Sequence, residues 1–273
     1  MVTSLASADL ERHLEVQRLA YRCCSEIAAE LAPGVTEREV AGRMRTWLVA
    51  RGVDDWLHVP FAWFGDRTAF RGFKIPTQFL PGSRRLERGM PFILDCAPMV
   101  DGTMADIGYA DCLGENRIFD RLFADLAEFR PFILERVKAE RPLCEIWRDV
   151  DALIDKMGYD NRHTVYPGHV LAHTVTRVST RRPRVILGAF GVRFLETLGR
   201  ELITERLRGR SPLWNGSARS NHPAYPGLWA VEPHIGFQSV GVKFEEILVV
   251  TESDAYWLDD APYHVQRWQK AAA

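Results

Sequence analysis

The sequence predicts an α+β fold, in which helices and antiparallel strands occur in separate blocks. Two observations support this class. The chain reads as two helices and a hairpin, followed by further helices and a second hairpin. Its strands come in adjacent pairs instead of alternating singly with helices, which argues against a doubly wound parallel sheet. The repeated order predicts two related halves, of about 1–135 and 136–273, within one domain.

The first block is predicted to be helical. Residues 8–31 carry apolar side chains at helical spacing, and Pro33-Gly34 ends that pattern. Residues 36–39, Thr-Glu-Arg-Glu, match a T-x-x-E capping box. A second helix is therefore expected from this box to about Val49.

A strand-rich stretch follows these helices. Residues 56–76 are aromatic and irregular, with strand-like pieces. Residues 90–98 and 103–109 resemble two short strands that meet at Asp101-Gly102. Because Asp-Gly between two such runs favours a tight turn, we expect a hairpin here.

The second half repeats this order of elements. Helical patterns cover residues 116–139, 143–157 and 187–208. A strand-like or loop segment covers residues 163–178, and two strands are predicted at 228–237 and 241–250.

Composition narrows the class of protein. Hydrophobic residues make up 47% and charged residues 26% of the chain, and the net charge is −1. This balance predicts a globular protein without a nucleic-acid-binding stripe or a membrane segment. The first residues show no signal-peptide pattern, and five cysteines at irregular spacing favour reduced thiols. Both features predict a cytoplasmic location, and Cys96, beside Asp95, is a minor candidate nucleophile.

The first hairpin brings two carboxylates together. If Asp101-Gly102 forms the turn, Ala97 lies opposite Asp106 on the partner strand. Asp95 is two residues from Ala97, so its side chain lies on the same face as that of Asp106. The two carboxylates are therefore expected to converge within an otherwise apolar stretch.

The second hairpin repeats this arrangement with glutamates. Glu232 and Glu245 lie opposite each other if the turn is centred on Gln238-Ser239. Glu246 then points to the other face, so parity selects Glu245 for the inward position.

Four converging carboxylates require cations, because uncompensated buried charge is very costly. A pair of divalent ions meets this requirement, and carboxylates with one imidazole suit Mn²⁺, Fe²⁺, Co²⁺ or Zn²⁺. The imidazole has two candidates in the segment Gly-His-Val-Leu-Ala-His, namely His169 and His173.

These residues resemble the motifs of the pita-bread metallopeptidase family M24, which includes methionine aminopeptidase, aminopeptidase P, prolidase and creatinase. Five segments match in the family's order: LAPGVTEREVA (31–41), LERGMPFILDCAPMVDGTMADIG (86–108), PGHVLAH (167–173), YPGLWAVEPHIG (225–236) and GVKFEEILVVTES (241–253). The resemblance implies two pseudo-symmetric halves around a curved antiparallel sheet.

The resemblance also implies a dinuclear centre for two divalent metal ions. Its ligands would be Asp95, Asp106, Glu232, Glu245 and one histidine, with Asp106 and Glu245 bridging the ions. Alignment of HVLAH with the family pattern H-G-x-G-H favours His173, and the shorter pattern leaves His169 open. In the family the ions activate a water molecule, and the glutamate at the position of Glu232 carries a proton to the leaving amine.

The sequence departs from the family pattern around this centre. Residues 65–76 lack the substrate-contacting histidine of the family, and Gly108-Tyr109 replaces the usual Thr-Arg. Thr176 or Thr180 stands where a second family histidine is expected. The candidates to replace these missing histidines as acid–base groups are His58, His163, His222 and His234. His234 is the preferred catalytic candidate, because it follows Glu232 by two residues on one predicted strand.

The resemblance therefore predicts a metal-dependent hydrolase that cleaves an N-terminal peptide bond, of Xaa-Pro or Met type, or a small amide. The altered substrate-contacting residues keep two alternatives open: an enzyme for a small non-peptide substrate, of creatinase or lyase type, and a non-catalytic binding protein. Residues 181–225 form an insertion relative to the family. This insertion is expected to border the site as a lid or wall, or to contact a second subunit in a homodimer.

Overall fold

A computed structural model describes residues 7–272 and confirms the α+β class. Its α-helices are α1 (Ser7–Ala29), α2 (Glu37–Val49), α3 (Arg117–Asp125), α4 (Phe129–Lys138), α5 (Leu143–Lys156), α6 (Val192–Leu207) and α7 (Tyr263–Ala272). The Thr36 hydroxyl accepts from the Glu39 amide at 3.2 Å, and the Glu39 carboxylate accepts from the Thr36 amide at 2.7 Å. The predicted capping box therefore starts α2. The observation that the first residues show no signal-peptide pattern rests partly on residues 1–6, which lie outside the described part.

The first half builds two small antiparallel sheets. Its strands are β1 (Asp55–Trp56), β2 (Phe61–Phe64), β3 (Pro91–Cys96), β4 (Pro98–Val100), β5 (Thr103–Met104) and β6 (Ile107–Cys112). They pair in the orders β2-β3-β6 and β1-β4-β5. Val100 pairs with Thr103, so the Asp101-Gly102 turn is confirmed. Both turn residues have positive φ, 48° and 77°, as a tight hairpin turn requires.

The second half contains the remaining described strands. They are β7 (Asp160–Asn161), β8 (Ala172–Val175), β9 (Ile186–Leu187), β10 (Phe190–Gly191), β11 (Leu213–Trp214), β12 (Gly227–Val231), β13 (His234–Phe237), β14 (Val240–Lys243), β15 (Glu246–Val250) and β16 (Ala255–Trp257). Their sheet orders are β11-β8-β12-β15-β16, β14-β13-β7 and β10-β9. Phe237 pairs with Val240, which confirms the turn at Gln238-Ser239.

The helix predicted over residues 187–208 starts later than expected. Residues 186–191 form the β9–β10 hairpin, and α6 begins at Val192. The turn of this hairpin places Gly188 and Ala189 at positive φ, 57° and 85°, which a right-handed helix does not allow. The apolar spacing that predicts this helix continues into residues 187–191, but these residues form a strand pair and its turn.

The two halves meet between β6 and the residue that precedes β15. The Gly108 amide donates to the Glu245 carbonyl at 3.4 Å, and the Tyr21 hydroxyl of α1 donates to the same carbonyl at 2.7 Å. The Gln17 side chain accepts from the Ile247 amide at 2.7 Å. Helix α1 and strand β6 of the first half thus both bond to residues 245–247 of the second half, which brings the two carboxylate-bearing hairpins side by side.

None of the described helices is both long and apolar enough to cross a membrane.

Candidate metal centre

Four buried carboxylates converge where the two halves meet. Asp95 lies near the end of β3, Asp106 directly precedes β6, Glu232 follows β12, and Glu245 directly precedes β15. Each of these residues is at most 8% exposed. The structure thus brings together all four acids that the hairpin registers predict.

Two histidines contact opposite oxygens of one aspartate. The Nε2 atom of His58 lies 3.2 Å from Asp106 Oδ1, and the Nε2 atom of His173 lies 3.3 Å from Asp106 Oδ2. The Nδ1–H group of each ring donates to the carbonyl of the following residue, Val59 at 2.9 Å and Thr174 at 3.0 Å. Both rings therefore aim their Nε2 atoms at the carboxylates.

The geometry separates the two histidines that the sequence leaves open. His173 lies on β8, opposite Ala230 of β12, and faces the acids. His169 is exposed to solvent, on the 3₁₀ turn before Val170. Of these two histidines, only His173 is therefore placed to bind the same ion as Asp106.

Lys243 is a site residue that the sequence analysis missed. Its ammonium group lies 2.8 Å from Asp95 Oδ2, 2.9 Å from Glu232 Oε2 and 2.8 Å from Glu245 Oε2. All three N–H donors are thus directed at carboxylates. A signal was present in the sequence, because Lys243 places a cation two residues before Glu245, although β14 ends at Lys243 and β15 begins at Glu246.

The charged groups at this centre strongly shift one another's pKa values. Burial alone would lower the pKa of the Lys243 ammonium, but Asp95, Glu232 and Glu245 together raise it well above its usual value. Burial raises the pKa of Glu245 well above its usual value, and the neighbouring Asp106 and Glu232 carboxylates add to this effect. Lys243 therefore stays charged and neutralises part of a strongly acidic cluster.

The histidines and their shared aspartate stabilise each other's charged forms. Burial acts to lower the pKa of His58, but Asp106 and Asp95 raise it well above its usual value. The pKa of His173 is likewise raised, against burial, by Asp106. Burial acts to raise the pKa of Asp106, but His58 and His173 hold it below its usual range. A cation is therefore favoured on each side of Asp106.

The expectation that His234 shares a strand with Glu232 is wrong. Strand β12 ends at Val231 and β13 begins at His234, and the two strands belong to different sheets. Pro233, which has no N–H to donate to a ladder, stands at this break. The His234 ring lies 3.0 Å from the Tyr166 hydroxyl through Nδ1 and packs edge-on against Phe70. Burial lowers its pKa well below the usual value, which keeps the ring neutral.

The other candidate residues lie outside the acid cluster. His163 accepts from the Asn161 side chain at 3.0 Å, and His222 accepts from the Ser211 amide at 2.9 Å. Cys96 is fully buried, and burial raises the pKa of its thiol well above the usual value. A buried thiol of raised pKa is a poor nucleophile.

The acids open onto an apolar cavity of about 350 Å³. Its walls include aromatic and aliphatic side chains from both halves, among them Leu57, Phe61, Trp63, Phe79, Leu80 and Val170. The predicted insertion supplies one side of the cavity through Gly188, Phe190, Phe194, Leu198 and Leu213. Residues of this region therefore form part of the cavity wall.

The residues present fit divalent metal ions. Two groups hold their ligand atoms within 4.8 Å of one another: His58 with Asp95 and Asp106, and Asp106 with His173 and Glu245. Metal bonds of about 2.1 Å place neighbouring ligands about 3.0–3.4 Å apart, depending on geometry. The measured separations of 3.2 and 3.3 Å from the histidines to Asp106 fall in this range. Asp106 is the residue that both groups share.

A comparison with protein families identifies a family of metal-dependent peptidases. The sequence profile of metallopeptidase family M24 matches residues 11–252. No curated protein sequence matches the chain.

Solved structures of several peptidases share the fold. The X-Pro aminopeptidase from Thermotoga maritima has a TM-score of 0.69 and 18% identity, over 94% of this chain and 62% of that one. The Xaa-Pro dipeptidase from Bacillus anthracis has a TM-score of 0.68 and 18% identity, over 94% of this chain and 62% of that one. The methionine aminopeptidase from Rickettsia prowazekii has a TM-score of 0.60 and 14% identity, over 94% and 99%. The chain thus spans 62% of the first two proteins, and the likeness confirms the pita-bread fold.

Proposed function

Because the chain belongs to metallopeptidase family M24, we propose that it is a divalent-metal-dependent hydrolase that cleaves an amide bond. The observation that carries this proposal is the pair of ligand groups that share Asp106, at the inner end of an apolar cavity. Two ions with a common carboxylate are the arrangement expected from the family resemblance. When bound, such ions polarise a carbonyl group and lower the pKa of water.

The chain's own residues would position the substrate and carry a proton. Glu232 is 8% exposed and lines the cavity, so its free oxygen can accept a proton near the scissile bond. Lys243 holds the other oxygen of Glu232 at 2.9 Å, which fixes the orientation of that carboxylate. Burial raises the pKa of Glu232, with Lys243 opposing the shift, so the carboxyl group binds a proton more readily than an exposed glutamate.

The cavity favours a small substrate over a long peptide. Its volume of about 350 Å³ lies near the lower end of the usual range for ligand pockets. Among the described residues that line it, the carboxylates, the two histidines and the lysine belong to the centre itself, and the outer walls are mainly apolar. This supports a dipeptide with an apolar side chain, of Xaa-Pro or Met type, or a small apolar amide.

A second candidate is a small non-peptide substrate. The observation that favours it is the outer wall, where no arginine or lysine is available, among the described lining residues, for a peptide carboxylate. Hydrolysis of uncharged amides, with no turnover of dipeptides, would select this alternative.

The proposal is tested by hydrolysis assays on metal-free and reloaded protein. The enzyme is stripped with chelator, reloaded with Mn²⁺, Co²⁺ or Zn²⁺, and offered Xaa-Pro dipeptides, Met-peptides and neutral aryl amides. We expect turnover only after reloading, and none by the variant Asp106→Asn. Turnover by the stripped protein, or by reloaded Asp106→Asn, at the rate of the reloaded wild type would refute the proposal.

A further inference from the structure

His58 is held in a fixed orientation beside two carboxylates. Its Nε2 atom lies 3.2 Å from Asp95 Oδ1 and 3.2 Å from Asp106 Oδ1. The ring stacks on Phe61 with centroids 4.7 Å apart and planes 5° apart. Since the Nδ1–H group donates to the Val59 carbonyl, the neutral ring presents a bare Nε2 lone pair to both acids. In the metal-free protein a proton on Nε2 fills the position between the ring and the two acids, and a metal ion can take the place of that proton.

The geometry of His58 matches that of His173. Each ring donates Nδ1–H to the next carbonyl and faces one oxygen of Asp106 with Nε2. Metal-binding histidines typically donate their second ring nitrogen to a carbonyl or carboxylate, which fixes the tautomer and the ring orientation. The two halves of the centre therefore offer equivalent imidazoles to the two oxygens of Asp106.

The β9–β10 hairpin fixes the backbone around His58. The Val59 amide donates to the Ala189 carbonyl at 2.9 Å, and the Gly191 amide donates to the Leu57 carbonyl at 2.9 Å. A Cβ atom on Gly191 would lie 2.0 Å from the Trp56 carbonyl oxygen, so the hairpin approaches this segment as closely as the backbone allows. The hairpin belongs to the region predicted as an insertion, which links the additional segment to the additional histidine.

We propose that His58 is a metal ligand that shares an ion with Asp95 and Asp106, and that the β9–β10 hairpin positions it. This inference rests on the proposed metal-dependent function. It gives each ion one imidazole, from His58 or His173, with Asp106 in common. Mixed imidazole and carboxylate ligands suit Zn²⁺, Co²⁺ or Fe²⁺ better than Mg²⁺ or Ca²⁺.

A second consequence concerns Glu232. Its Oε2 atom is bonded to the Lys243 ammonium, and Glu232 is absent from both ligand groups found among the described residues. Glu232 remains available for proton transfer.

X-ray absorption of a variant without His173 provides the test. In His173→Gln, the ligand set taken from the family resemblance contains only oxygen donors, so any imidazole bound to the ion comes from His58. We expect Co²⁺- or Zn²⁺-loaded His173→Gln to show imidazole scattering, and the double variant His58→Gln/His173→Gln to lose it. Scattering from oxygen alone in His173→Gln would overturn the inference.

Metal titration of single variants gives a second readout that does not depend on activity. Zn²⁺ affinity measured by calorimetry should fall about tenfold or more in His58→Gln, and it should stay at the wild-type value in His169→Gln, whose ring is exposed. Wild-type affinity in a folded His58→Gln would overturn the role of His58 alone. A wild-type protein that binds no ion would refute the metal-dependent function itself, so the two failures are distinguishable.

Discussion

Gly108 leaves the space that the Lys243 side chain fills. A Cβ atom at position 108 would lie 2.5 Å from Cε and 3.1 Å from Cδ of Lys243, and the first of these distances is shorter than real Cβ contacts. The aliphatic part of Lys243 thus passes over the bare backbone of β6 to reach the three acids. The absence of a side chain at one position allows a buried ammonium group at another.

The substitution Gly108→Ala should displace Lys243 from the acids. We expect a lower midpoint of thermal unfolding in chelator, because the carboxylates lose their internal cation. Gly199→Ala is the matched control, since its Cβ meets nothing within 4 Å in α6 and alanine favours a helix interior by about 1 kcal/mol. Equal behaviour of the two variants would contradict the contact.

The substitution Lys243→Met should destabilise the metal-free protein by roughly 3–5 kcal/mol, because it leaves buried carboxylates without their partner. Added Zn²⁺ or Co²⁺ should recover a larger part of this loss than it adds to the wild type. Urea unfolding with and without metal measures both effects. Lys138→Met removes an exposed pair with Asp254 and should leave the stability nearly unchanged. A Lys243→Met variant as stable as Lys138→Met would contradict this prediction.

His163 should make the protein less stable in mild acid. Burial lowers its pKa from 6.5 to about 3, so between these values the unfolded chain binds a proton that the folded chain does not. Stability is then complete above pH 6.5 and falls with decreasing pH by up to about 1.4 kcal/mol per unit. Urea unfolding at pH 7, 6 and 5 should show a shallower pH dependence in His163→Gln. Parallel curves for the two proteins would refute the assignment.

Phe194 should select for an apolar substituent on the substrate. Its side chain lines the cavity from α6, so Phe194→Ala should raise KM for the best apolar amide by about tenfold or more, with a smaller change in kcat. Leu207→Ala, on the same helix with an 84% exposed side chain, is the control and should leave both constants unchanged. A KM unaffected in Phe194→Ala would place the substrate elsewhere.

Local signals predicted the hairpins because their turns depend on nearby residues. Asp101-Gly102 accepts the positive φ that the turn requires, and once the turn is fixed, the period of the strand places Asp106. The same reasoning placed Glu245 opposite Glu232.

The rest of the site depends on contacts between distant segments. His58 reaches Asp106 because the β9–β10 hairpin supports it from more than 120 residues away, and no local pattern indicates such pairing. Lys243 reaches the acids only because Gly108, on another hairpin, leaves room. His234 was misplaced because Pro233 breaks the strand that parity assumed to be continuous.

Metal content tests the central claim most directly. Protein purified without chelator is dialysed against Zn²⁺ or Co²⁺ and analysed for bound metal beside Asp106→Asn, which lacks the shared carboxylate charge. The account predicts close to two ions per chain in the wild type and a marked loss in the variant. A folded wild-type protein that retains no ion would contradict the account. The positive charge among the acids would then come from Lys243 and not from metal ions.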